Sequence, residues 1–541
     1  MVDLPAILEE AALRYRGPGG AIAVVQDGKL AAQRVWGFAD IALRIPMEPT
    51  TILPICSISK QMVCAVIHDL KRSPTAKMAS ADVSPSELLE RHLHEMLGNQ
   101  DQLKDLSIQY LSNNQSGIRD YWATNTLLGA HPEDLFSLET HAVDMVRRIK
   151  SLHFTPGSEY SYSNTNFHIL GRVAERASGQ SLPDLLSERI FRPAKMTTAS
   201  LHPPSDDQPG PCVGYEVNET LGYFPAKNRI EWSGDAGIVA SLEDMIAYEI
   251  YLHQLWADPK SWYREHAVPG TFSDGMPSLY ANGLSFADLD GIPNLGHGGA
   301  LRGYRLYRRH TPSREPSKGG ISVVVMLNHE ADAAEASSFI TRKILGLDEP
   351  TVAPFSYRPA TEWKGHFLDK GTNMAVSGDV TKPGIVAIDY ARKAETMRLA
   401  GSNEAESGDM KAEIRGDTIH VHRLRDNRIL EAIRLQPDAA KRRDPSLPGE
   451  YFCQELDSYF LCIGQGEVLY GAFKGPLGSG GATAMRYLGG DVWLLACPRG
   501  QDAQPPGDWT IVFHRDASQG KITGIIIGCW LARNFKFEKQ T

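Results

Sequence analysis

Helical and strand-like spacings of apolar residues are mixed through roughly the first two-thirds of the chain, and strands alone follow. Near the start, "GAIAVVQDGKLAAQRVWGFAD" holds two apolar stretches around Asp27-Gly28, a pair that tolerates positive φ, and so predicts a hairpin. Downstream, Val63, Val66, Ile67 and Leu70 fall at i, i+3, i+4 and i+7, one face of a helix. "NLGHGGALRGYRLYRR" and "GGISVVVMLNH" predict neighbouring strands of one sheet. Further on, "YFLCI", "VLYGAF", "DVWLLAC", "WTIVFHR" and "ITGIIIGCW" are short and separated by Gly, Asp and Pro, the rhythm of a small antiparallel barrel or sandwich. Two of these β-rich regions open alike, with "WKGHFLD" at 363–369 and "PGEYFCQELD" at 448–457, which suggests an internal duplication.

Two proline-punctuated stretches divide the chain. Residues 345–363 carry Pro350, Pro354 and Pro359, and residues 435–452 carry Pro437, Pro445 and Pro448. The expected domains are therefore 1–347, 348–443 and 444–541: an α/β (α+β) domain followed by two small antiparallel β-barrels.

Composition narrows the class. With 541 residues, 42% hydrophobic and 22% charged, the chain is globular and long enough for two to four domains. A net charge of -9 with interspersed signs offers no footprint for nucleic acid or an anionic membrane. No apolar run reaches the ~20 residues that span a bilayer, and the first residues carry acids where a signal peptide has bases. Seven cysteines without CxxC spacing argue for buried thiols in a reducing, cytoplasmic setting. "RHLHE" at 91–95 lacks an HExxH partner and reads as a solvated face rather than a metal site. The glycine cluster at 475–491 reads as a long flexible loop.

The chemistry begins at "PICSISKQM". Ser57 and Lys60 are three apart, and on a helix such a pair shares a face about 5 to 6 Å apart at Cβ. A serine hydroxyl needs a neighbouring base before it is a nucleophile. SxxK alone is weak, since Ser518 to Lys521 repeats it in a glycine turn and a serine at a helix start is most often a cap. Cys56 reads as a small buried apolar group. Two further stretches change the reading: Tyr162-Ser163-Asn164 after a Pro-Gly turn, and His297-Gly298-Gly299 on a strand whose glycines admit another backbone. Alone, Tyr162 could be a core tyrosine, Asn164 a cap and His297 a histidine satisfied by a carbonyl. In chain order they form SxxK, YxN and [K/H]xG.

That triple resembles the penicillin-recognising serine enzymes: serine β-lactamases, DD-peptidases, related esterases and D-aminopeptidases. "YLSNNQSGIRDYW" at 110–122 and "DAGIVASLEDMIAYEIYL" at 235–252 extend the likeness. The two β-rich parts, and His in the third motif, look most like the D-stereospecific aminopeptidases. The resemblance implies a β-lactamase-like catalytic domain with Ser57 acylated, Lys60 and Tyr162 sharing the proton, Asn164 bonding the lysine or substrate, and His297 in the third catalytic motif. It implies an oxyanion hole from the N–H groups of Ser57 and Ala300, with Gly298 and Gly299 lining the substrate. Acyl-serine chemistry of this kind implies no organic cofactor. An amine beside the phenol is expected to lower the pKa of Tyr162. His297-Gly298-Gly299 lacks the ammonium and hydroxyl that bind a substrate carboxylate. The expected substrate is accordingly a small peptide, amide or ester with a free N-terminal amine, and Asp491, from the last domain, is expected to receive that amine. Relatives with this architecture imply a homodimer. The competing readings are an esterase, amidase or β-lactamase-like hydrolase of the same fold, and a penicillin-recognising protein that only binds.

Overall fold

In strand β1 (Gly19–Gln26) every residue but the last is buried, because helices cover both faces of its sheet. Ile22 and Val24 pack with Leu8 and Ala11 of helix α1 (Leu4–Arg14). Ala21, Ala23 and Val25 point the other way, into a core shared with Val63 and Val66 of helix α2 (Ser59–Arg72) and Phe167 and Leu170 of helix α3 (Asn164–Ser178). Helix α4 (Ala333–Leu345) joins α1 on the first face through Phe339 and Ile340. Period-two alternation with two apolar sets is what a doubly covered strand requires. These relations are read from a computed structural model, which describes residues 2–315, 318–348, 357–390, 394–465, 468–502 and 505–540.

Strand β1 runs into β2 (Lys29–Asp40) through the anticipated turn, where Asp27 and Gly28 take φ of 47° and 76°, the signature of a type I′ hairpin. The remaining strands are β3 (Ile45–Pro46), β4 (Tyr280–Ala281), β5 (Leu284–Leu289), β6 (Ile292–Leu301), β7 (Tyr304–Thr311) and β8 (Ile321–Leu327). They form an antiparallel sheet in the order β4-β5-β6-β7-β8-β1-β2-β3. The register of β5 on β6 ends at Ser285 opposite Gly296, so the backbone from His297 to Leu301 has β7 as its one sheet neighbour, and its other edge faces the turn Cys56–Ile58 that precedes helix α2. Opposite His297 in β7 stands Arg308, wholly buried and bidentate to Glu249 (Nε–Oε1 2.5 Å, Nη2–Oε2 2.9 Å), with Nη1 donating to Gln61 Oε1 at 3.0 Å.

The C-terminal third folds as two closed barrels. The first runs from Gly365–Asp369 to Arg428–Arg434, which pair with each other to close it around Trp363, Phe367, Met397 and Leu430. In the second, Gly449–Cys453 pairs with Ala532–Lys539, and Ser458–Gln465 with Val468–Gly475, around Tyr451, Phe460, Trp493 and Trp509. "WKGHFLD" and "PGEYFCQELD" each hold the opening strand of a barrel, in keeping with duplication. The segment expected to be a flexible loop is different: Gly478–Ser479 and Thr483–Gly489 are paired strands, and Gly478 lies so close to Gly129 that a Cβ there would stand 2.2 Å from the Gly478 carbonyl. Glycine here serves close packing. Part of the first connector, 349–356, lies outside the described residues. All seven cysteines are buried thiols. "RHLHE" sits on the helix Pro85–Met96, with His92 Nδ1 3.0 Å from Glu95. Among the described residues no helix is long and apolar enough to cross a membrane.

Candidate active site

The chain reaches Ser57 through the short strand Leu53–Pro54, pinned by Ile55 N–H donating to Ile238 O at 2.9 Å. Cys56 then takes φ of 52°, unusual for a residue with a side chain, and Cys56–Ile58 makes one tight turn before α2 begins at Ser59. Its thiol donates to Pro54 O at 3.3 Å, and burial pushes its pKa up, so it stays a neutral packing group beside the serine. Strand β6 lies directly on this turn: a Cβ on Gly299 would stand 2.3 Å from Ile55 O. The second glycine of the third motif is thus a matter of contact between backbones.

Four of the anticipated residues meet. Lys60 Nζ donates to Ser57 Oγ at 2.9 Å, to Asn164 Oδ1 at 2.8 Å and to the Asp235 carbonyl at 2.6 Å. Tyr162 OH donates to the same Oγ at 2.8 Å. Burial lowers the Lys60 pKa to about 8, against the opposing pull of Asp235, Asp502 and Asp120. Tyr162 behaves otherwise than its neighbouring amine suggested. Burial raises its pKa, and the hydrogen bond to Ser57 offsets only part of that, so the phenol is neutral and the lysine is the group poised near neutrality.

Two acids that spacing did not single out complete the arrangement. Asp120 caps the helix Tyr121–Leu127 with Oδ1 and accepts from both the N–H and Nδ2 of Asn164 with Oδ2 (2.8 Å each), which turns Oδ1 of Asn164 toward the lysine. Asp235 holds Tyr121 OH and the Ser233 N–H through its carboxylate while its carbonyl takes the third lysine proton. Both lie in stretches that carried the resemblance, but their partners are 44 and 175 residues away.

His297 directs its hydrogen bonds away from the serine. Its Nδ1–H donates to Gly298 O at 2.6 Å, so Nε2 accepts from Tyr280 OH at 3.0 Å, and burial drops its pKa to about 3. It is a neutral wall residue, tilted against Tyr162 and edge-on to Tyr280, and its hydrogen bonds go to neither Ser57 nor Lys60. Asp491 is not brought to the serine either: its carboxylate is shared by Lys441 Nζ at 2.7 Å and Arg515 Nε at 2.8 Å, on the connector and second barrel. A different turn of that barrel arrives instead. Arg302, one residue past β6, donates to the carbonyls of Gly500 and Gln501, and Asn125 Nδ2 donates to Gln501 Oε1 at 2.8 Å. Asp502 follows, close enough to act electrostatically on Lys60, Tyr162 and Cys56.

Known proteins resemble this chain over both of its parts. Residues 4–344 match the family model described as Beta-lactamase, and residues 356–538 that described as D-aminopeptidase, domain B. The D-aminopeptidase of Brucella canis is 41% identical over 543 residues, 99% of each chain. That of Brucella anthropi is 41% identical over 527 residues, 97% of this chain and 96% of its own. Among solved structures, the octameric penicillin-binding protein homologue from Pyrococcus abyssi aligns at a TM-score of 0.52 and 18% identity, covering 80% of this chain and 99% of that one. SurE aligns at a TM-score of 0.52 and 18% identity, covering 80% and 98%. At such identity these two likenesses are of fold.

Proposed function

The chain belongs to the D-aminopeptidases, and from that membership we propose the course of reaction at Ser57. It is a serine hydrolase that removes an N-terminal D-residue from peptides and amides through an acyl-enzyme. The observation that carries the mechanism is the double hold on one oxygen, by Lys60 at 2.9 Å and Tyr162 at 2.8 Å.

With Lys60 in its amine form, Ser57 gives its proton to Nζ as Oγ attacks the carbonyl carbon. The oxyanion forms against the N–H groups of Ser57 and Ala300, the latter on the edge of β6 that has no strand beside it. As the C–N bond breaks, the lysine ammonium, with the Tyr162 phenol as the neighbouring donor, returns a proton to the departing nitrogen. Water then clears the ester by the reverse transfers. Gly298 and Gly299 line the acyl group. Asp502 is the carboxylate we assign to the substrate ammonium, since the turn carrying it is pinned by Asn125 and Arg302 within electrostatic reach of Lys60. No step calls for a metal or organic cofactor. The unbridged thiols support a reducing, cytoplasmic setting, and a homodimer rests on the resemblance; light scattering tests the latter.

Quenched mass spectrometry with D-alanine p-nitroanilide tests the core of the scheme. A D-alanyl adduct on Ser57 is expected, absent from Ser57→Ala and from reactions with the L-isomer. An adduct elsewhere, or equal adducts from both isomers, refutes it.

A further inference from the structure

The turn joining the last two strands of the second barrel, Ile522–Cys529 and Ala532–Lys539, touches both arms that hold Ser57. Leu531 O accepts from the N–H of Asp120 at 3.1 Å, and Asp120 orients Asn164 against Lys60. Two residues on, Arg533 O accepts from Arg119 Nε at 2.8 Å, while Arg533 Nη2 donates to Glu159 Oε2 at 3.0 Å. Glu159 stands three residues before Tyr162. Its other oxygen accepts from Arg428 Nη1 of the first barrel at 3.0 Å. Glu159 is 5% exposed and Arg533 1%. One buried carboxylate therefore ties the catalytic domain to both barrels at the base of the segment that delivers the phenol. Neighbouring bonds fix the same segment: Tyr160 N–H to Asp426 O and Asn427 Nδ2 to Ser158 O, both 3.1 Å.

A buried carboxylate stripped of its cations is costly, so Glu159 has one favourable arrangement, with both guanidiniums in place. Charge-assisted pairs with fixed donor geometry also locate what they hold more sharply than apolar packing does. We propose that Glu159 and Arg533 are positioning residues for the hydrolysis: Arg533 acts through Glu159 on Tyr162, and its turn acts through Asp120 and Asn164 on Lys60. The barrels thereby set the reactivity of the serine. The proposal rests on Ser57 being the nucleophile.

The test measures labelling of Ser57 by a fluorophosphonate, turnover of D-alanine p-nitroanilide and the melting temperature in the full-length protein. Arg533→Met is expected to slow labelling and kcat by about 10- to 100-fold, the scale of a small misplacement of reacting groups, with KM within about threefold. Arg148→Met is the control, because Arg148 bonds the same barrel through Leu456 O at 2.5 Å without touching Glu159 or Asp120. It should lower the melting temperature and leave labelling intact. In a Tyr162→Phe background, Arg533→Met should cost much less than in wild type, since its path to the serine is already cut. Should Arg533→Met not fold, Glu159→Gln, which keeps the shape and drops the charge, takes its place in the same cycle. Equal slowing by Arg533→Met and Arg148→Met, or costs that multiply in the Tyr162→Phe background, overturns the proposal. Wild type that labels at Ser57 but spares the anilide would refute the substrate reading and leave the positioning role standing. Wild type that does not label refutes both.

Discussion

The rate of acylation should rise with pH because one buried amine has to lose a proton before it can take another. Lys60 has no exposure to solvent and its pKa falls from 10.5 to about 8. If its amine form is the base, about 1% of the enzyme is competent at pH 6, about 9% at pH 7 and about 90% at pH 9. The logarithm of kcat/KM for D-alaninamide, corrected for ionisation of the substrate, should then climb with unit slope and level off near pH 8. Asp502 raises the Lys60 pKa, so Asp502→Asn should move the inflection to lower pH. Stability carries the same signature. Since the native pKa lies below the free value, the unfolded chain holds the extra proton between about 8 and 10.5, and stability gains about 3 kcal/mol from this group as pH rises across that window. Lys60→Met should lose that increment together with the activity. A profile flat from pH 6 to 9, or an inflection that Asp502→Asn drives upward, would refute the assignment of the base.

Three further outcomes follow from the geometry. Asp502→Asn should raise KM for D-alanine p-nitroanilide about tenfold or more, as befits a lost charge-assisted bond, and leave the slow turnover of the N-acetylated substrate undiminished; equal losses on both would remove it as the amine receptor. Gly299→Ala places a methyl carbon 2.3 Å from Ile55 O, so the nucleophile turn or β6 has to give way, and kcat should fall about 100-fold; kinetics paired with thermal melting separate this from unfolding. Glu249→Gln leaves the wholly buried Arg308 with an uncompensated charge and should cost about 3 to 5 kcal/mol in urea unfolding.

The serine, lysine, tyrosine and asparagine were legible because two of them are one helical turn apart and the others form a short motif in a fixed order. Sequence order also placed His297 correctly on its strand. It could not show that the imidazole turns to Tyr280 and Gly298, because that depends on which neighbour supplies a donor after the sheet has closed. Asp491 and Asp502 both follow strands of one barrel, and composition does not separate them. Closure decides, sending the turn after Val492–Leu495 toward Arg302 and leaving Asp491 between Lys441 and Arg515. In the glycine-rich stretch 475–491, Gly475, Gly478 and Gly489 serve close packing rather than freedom, since glycine permits both. The Tyr162 phenol is held neutral by burial, which the spacing of residues along the chain does not disclose.

Glu159 and Arg533 are 374 residues apart in the chain. A ribosome therefore finishes the serine, the lysine and the tyrosine about 20 to 75 s before it makes the cation that steadies them, at ordinary synthesis rates. During that interval Ser57, Lys60 and Tyr162 are present without that cation, and on the positioning proposal full reactivity is expected only once the last strand has been made.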